Sequence, residues 1–107
     1  MFNVYAMALG STGIVKVGYT NDLKRRAGEH GRKYNCRGQV EILDSIAFTS
    51  KATAEKVEAI VLKAMKDAGF EMVKDAQNGD TERFYMNGEM VEITFKVRKE
   101  QKLRVGR

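Results

Sequence analysis

Residues 2–20 read FNVYAMAL, GSTG and IVKVGYT: two strand-length runs of β-compatible residues joined by four residues of turn chemistry. That pattern commits the start of the chain to a hairpin. In the second run Val15, Val17 and Tyr19 alternate with Lys16 and Gly18, the period of two expected of a strand. A third run, QVEILDSIAF (39–48), sets Val40, Ile42, Ile46 and Phe48 among polar residues, with the register disturbed near Leu43. It reads as a strand carrying a bulge and joining the hairpin's sheet.

Between the hairpin and the third strand, Thr20 or Asn21 can cap a helix from about Asp22 to His30, with Asp22 near its positive end and Gly31 able to stop it. Gly28 within it weakens that helix by roughly 1 kcal/mol. The strongest periodicity lies in SKATAEKVEAIVLKAMKDAG (50–69). There Val57, Ile60, Val61, Ala64, Met65 and Ala68 form one apolar stripe, Ser50 or Thr49 serves as cap, and Gly69 as stop. Beyond it, FEMV (70–73) and ERFYM (82–86) flank a turn-rich segment and read as a loose hairpin or a strand followed by a loop. In residues 88–100 VEITFKV alternates like a strand, while Asn87, Met90, Ile93 and Val97 suit a helix, which is the favoured reading. The element order implies an α/β (α+β) domain: a three-stranded mixed or antiparallel central sheet flanked by helices, over residues 1–95, with 96–107 a basic tail.

A chain of 107 residues suits one domain and hence one site. It has no apolar run long enough to span a membrane and no leader-like amino terminus, so a cytoplasmic protein with no membrane partner is expected. Cys36, the single cysteine, excludes an internal disulfide and argues against structural zinc. Nineteen Lys and Arg against fourteen Asp and Glu leave a formal charge of +5, and the excess is uneven. Seven cations (Lys16, Lys24, Arg25, Arg26, Arg32, Lys33, Arg37) fall between residues 16 and 37 and six more between 96 and 107. Such clusters suit a phosphate backbone, for which Lys24, Arg25, Arg32 and Lys33 are the candidate contacts. On charge alone they equally suit a solvated surface.

The chemistry gathers near the first cluster. Tyr5 and Lys16 sit on paired strands, near each other if the turn is tight, and Arg26 and His30 share a helical face one turn apart. Glu58 lies at the margin of the long helix's apolar stripe, with no cation three or four residues away in sequence. Phosphodiester hydrolysis needs a group to take a proton from water, a cation for the charge gathering on phosphate, and often a carboxylate-bound Mg²⁺ at the leaving oxygen. Tyr, Arg and Glu can supply all three. A phenol titrates near 10, so as a base it needs a neighbouring cation or the metal. Without that convergence the tyrosines read as sheet-packing aromatics and the helical cations as a solvated face.

NVYAM followed by VKVGYTNDLKRRAGEH resembles the two opening motifs of the GIY-YIG nuclease family, and Arg26 stands eight residues past Gly18, where that family has its arginine. AEKVEAIVLKAM is similar to the family's metal-binding helix, and DTERFYM to the Glu-x-Phe segment of a compact phage-type branch, so the likeness covers about residues 3–86. The resemblance implies that Tyr5 is the general base, that Arg26 stabilises the phosphate, and that Glu58 binds a single Mg²⁺ or Mn²⁺. It also makes His30 a second cation or proton donor. The chain departs from the pattern in three places. Asn3 replaces the first triplet's glycine, Lys16 replaces the second triplet's tyrosine, and neither Asn78 nor Asn87 clearly matches the late asparagine. Tyr19 stands an odd number of positions from Lys16, so the two face apart in a regular strand and Lys16 is the better candidate. Glu82 is a weaker candidate, since TERF equally reads as a strand that buries Phe84. The implied activity is metal-dependent endonucleolytic cleavage of DNA; the alternative is a non-catalytic nucleic-acid-binding or phage-encoded interaction module on the same fold.

Overall fold

The hairpin forms as the turn chemistry requires. In the computed structural model, which describes residues 1–11, 13–67, 69–70 and, as backbone, 83–85, strand β1 (Phe2–Leu9) pairs antiparallel with β2 (Ile14–Thr20). The register runs from Asn3 opposite Thr20 to Ala8 opposite Val15. On its other edge β1 takes β3 (Val40–Phe48), also antiparallel. Ala6 faces Asp44 but Met7 faces Ile42, so Leu43 is the extra residue of a bulge, where the sequence pattern loses its register. A short β4 (Arg83–Tyr85), inside the ERFYM run, pairs with Ile14 to Lys16 of β2. The sheet order is β3-β1-β2-β4, and every pairing is antiparallel.

Two helices cover the two faces. Val4, Ala6, Val15, Val17 and Ile46 pack with Ala54, Val61 and Met65 of α2 (Lys51–Asp67) in the main core. The alternate residues of β1 point the other way, where Tyr5 meets His30 of α1 (Leu23–Lys33). No helix among the described residues is long and apolar enough to cross a membrane.

Both helices differ in detail from their sequence patterns. Asp22 is the N-cap of α1 rather than a first-turn residue: its side chain accepts from the Arg25 amide at 3.0 Å, while the Thr20 hydroxyl accepts from the Asp22 amide at 3.1 Å. Nor does Gly31 stop the helix. It is buried within α1, and a Cβ there would lie 3.3 Å from Arg37 Cα, so glycine lets the returning chain pack against the helix. In α2 the cap is Ser50, and the end is closed by bonds from Gly69 N to Lys66 O and from Phe70 N to Met65 O. Ile60, placed on the apolar stripe by its spacing, is 46% exposed. It lies about 100° round the helix from the fully buried Val61, and Ala54 fills the face instead. The expectations for residues 71–82 and 86–107, including the helix or strand at 88–100 and the basic tail, fall outside the described residues.

Candidate active site

The site is built around the carboxyl end of β2. Here the chain leaves Gly18–Thr20 for Asn21 and enters α1. A cleft of about 480 Å³ opens beside it, lined from one sheet face by Tyr5, Lys16 and α1, and from the other by Tyr19 and α2. Tyr5, Lys16, Arg26, His30 and Glu58 all line this single cleft. Their convergence follows from the elements. Tyr5 lies opposite Gly18, so Lys16, two residues along, is its diagonal neighbour on the same face. Arg26, His30 and Lys33 recur at i, i+4 and i+7 along α1 and present one stripe to the cleft.

Tyr5 is held on two sides. Its hydroxyl is 2.8 Å from His30 Nε2, with both side chains almost fully buried and their rings 5.9 Å apart. When Nδ1 carries the imidazole proton, the phenol donates and Nε2 accepts. Across the strand pair, a Cβ on Gly18 would stand 2.5 Å from the Tyr5 hydroxyl oxygen and 2.8 Å from its ring, so only glycine leaves room for the phenol. Lys16 is 7% exposed, an unusual burial for an ammonium and one that places a cation against the Tyr5 side of the cleft.

Arg26 is half-exposed, yet its Nε is buried with no hydrogen-bond partner among the described residues. The Glu29 carboxylate at 3.8 Å is near enough for charge attraction but too far for a hydrogen bond to that N–H. A buried donor left open beside a cleft is what an anionic ligand would satisfy. Glu58 is half-buried on the opposite wall. Between them stands Tyr19, whose hydroxyl donates to Glu55 Oε1 at 2.8 Å. That hydrogen bond raises the phenol's pKa above its ordinary value, and desolvation and the nearby Glu55 and Glu58 charges act in the same direction against Arg26. Tyr19 therefore stays protonated through the neutral range, as a donor rather than a base. As its strand position requires, it lies on the sheet face opposite Lys16; both line the cleft because the cleft wraps around the strand end.

Of the candidate phosphate contacts, Lys33 lines the cleft, whereas Lys24, Arg25 and Arg32 are exposed outside it. Arg25 is engaged along its own helix, at 3.4 Å from Glu29 Oε1 and 3.1 Å from Asn21 Oδ1. Phe2, Thr20, Asn21 and Lys51 also line the cleft; the sequence pattern marks Thr20 and Asn21 only as helix caps and does not single out Phe2 or Lys51. Lys51 carried a signal, since it stands seven residues before Glu58 on the same helical face. Phe2 follows from the strand register.

The donor set bears on a metal. No group of three or more His, Cys, Asp or Glu side chains able to hold one occurs among the described residues. Glu58, the one carboxylate that lines the cleft among the described residues, suits Mg²⁺, which keeps several waters and is commonly held by one or two carboxylates plus substrate phosphate oxygens.

Fold and cleft together define a small α+β domain with a cation-lined cleft at one end of its sheet. The family model described as the T5orf172 domain matches residues 3–102, and the chain belongs to that family, a nucleic-acid-related domain associated with GIY-YIG and HNH-like nucleases. Two UPF0213 proteins of Streptococcus agalactiae, one from a serotype V strain and one from a serotype III strain, are each 37% identical to it over 73 residues. The aligned stretch covers 64% of this chain and 83% of each relative, and UPF0213 is itself a GIY-YIG-type family. No solved structure matches the chain significantly.

Proposed function

We propose that this protein is a metal-dependent endonuclease that hydrolyses DNA phosphodiester bonds, of the compact kind found in phages. The observation that carries the reading is the gathering of Tyr5, Lys16, Arg26, His30 and Glu58 around one cleft. The open Arg26 Nε and the Lys16 ammonium hold the non-bridging oxygens and stabilise the charge that builds on them. Tyr5 takes the proton of the attacking water while its own passes along the 2.8 Å hydrogen bond to His30 Nε2. In this reading His30 serves as the phenol's proton acceptor rather than as a second phosphate clamp. Glu58 would hold a Mg²⁺ or Mn²⁺ ion, which when bound supplies positive charge at the leaving oxygen. Lys33 and Lys51 at the rim add sequence-independent attraction for the backbone.

Nicking of supercoiled plasmid tests the reading. Wild-type protein in Mg²⁺ is expected to convert the plasmid to the open-circular form, and chelation to stop it. Arg26→Ala and Glu58→Ala are each expected to lose about 10²–10³-fold in rate. Equal nicking by all three proteins would rule out the assignment. Salt-dependent DNA binding with no cleavage under any metal would leave a non-catalytic nucleic-acid-binding module.

A further inference from the structure

Phosphate binding along one wall of the cleft makes no use of Tyr19 and Phe2. Both rings line the cleft, both are half-buried, and both rest against the main core, so each has an apolar floor and an accessible side. Tyr19 is further constrained, because its hydroxyl is tied to Glu55 at 2.8 Å and Lys51 Nζ approaches the same carboxylate oxygen at 3.9 Å. A ring fixed at both ends surrenders little conformational freedom when something packs on it. Its position beside Arg26 places it next to the group that would hold the scissile phosphate.

We propose that Tyr19, supported by Phe2, is a stacking platform for an unpaired nucleobase flanking the scissile phosphate, so that the preferred DNA is a junction between single-stranded and duplex segments. The inference rests on the nuclease reading for its phosphate site and adds the substrate class. Inside a continuous duplex each base has its faces covered by its neighbours, and a protein ring reaches only base edges in the grooves. An unpaired base beside a junction exposes a π-face, and aromatic platforms bind such faces with little regard to sequence. The cleft volume lies within the range of sites that enclose a nucleotide-sized ligand. A chain with few other obvious means of reading bases would thereby choose substrates by their state of pairing.

The test is binding in EDTA, which separates it from cleavage. The probes are a continuous duplex and a matched duplex bearing a single-stranded arm, with 2-aminopurine as the first unpaired base. The wild type is expected to bind the junction about tenfold more tightly than the duplex and to quench the 2-aminopurine emission. Tyr19→Leu is expected to bind both DNAs with the wild-type duplex affinity and to lose the quenching. Tyr19→Phe, which keeps the ring and drops the hydrogen bond, is expected to retain the preference. Equal wild-type affinities without quenching, or a preference that survives in Tyr19→Leu, would overturn the proposal. The wild-type measurement decides the matter even if Tyr19→Leu does not fold. Junction preference without cleavage in Mg²⁺ would uphold the platform and refute the nuclease.

Discussion

At the scale of single residues the site depends on a pair that sequence spacing hides. Tyr5 and His30 are 25 positions apart, and their 2.8 Å contact exists because β1 and α1 pack face to face. The sequence places His30 beside Arg26 by helical period; it carries no signal for the hydrogen bond to the phenol. Gly18 is the reverse case, a position whose identity is plain in the motif but whose reason appears only in the packing. Gly18→Ala is expected to push the Tyr5 ring out of its slot. The expected result is a stability loss of about 1–3 kcal/mol by urea denaturation, and a fall in nicking rate larger than that loss of folded protein explains. An alanine variant with wild-type stability and rate would show that the phenol's position does not depend on this contact. That Tyr5, Lys16, Arg26 and Glu58 line one cleft was foreseeable from strand pairing, helical period and the family resemblance. Phe2 was not singled out, since nothing in its local sequence distinguishes it from an ordinary sheet-packing ring, and the spacing that puts Lys51 on the face of Glu58 gains meaning only once the cleft is known.

Among the elements, the strands and α2 were readable nearly to the residue, whereas α1 was not. Period two with turn residues fixes β1, β2 and β3 from local sequence, and even the bulge at Leu43 shows as a broken alternation. The end of α1 depends on tertiary packing: Gly31 looks like a stop, but the close approach of Arg37 makes it a spacer, and the helix runs on to Lys33. That extra turn matters, because it brings Lys33 into the cleft. At the other end the Asp22 cap sets where the helix begins and hence the height of Arg26 and His30. Asp22→Ala is expected to cost about 1 kcal/mol in chemical denaturation. Asp22→Asn, which keeps a capping oxygen, is expected to restore most of it. Loss of stability in both variants alike would assign the effect to charge near the helix terminus instead.

For the whole molecule, the decisive feature is that the cleft joins the two faces of the sheet. Tyr5, Lys16 and α1 belong to one face and Tyr19 and α2 to the other, and they meet around the carboxyl end of β2. The resulting geometry sets a phenol and cations on one wall and a carboxylate on the other, a separation of roles that the proposed in-line attack on a phosphate would use. Under the proposed function the uneven charge would draw DNA toward the cleft without naming a sequence. The most direct measurement is a crystal structure of the Tyr5→Phe variant with Mn²⁺ and a short junction DNA, read by the anomalous signal of the metal. The account predicts one Mn²⁺ peak at the Glu58 carboxylate, with a backbone phosphate bridging it to Arg26. Manganese bound away from Glu58, or DNA lying across another surface with the cleft unoccupied, would contradict it.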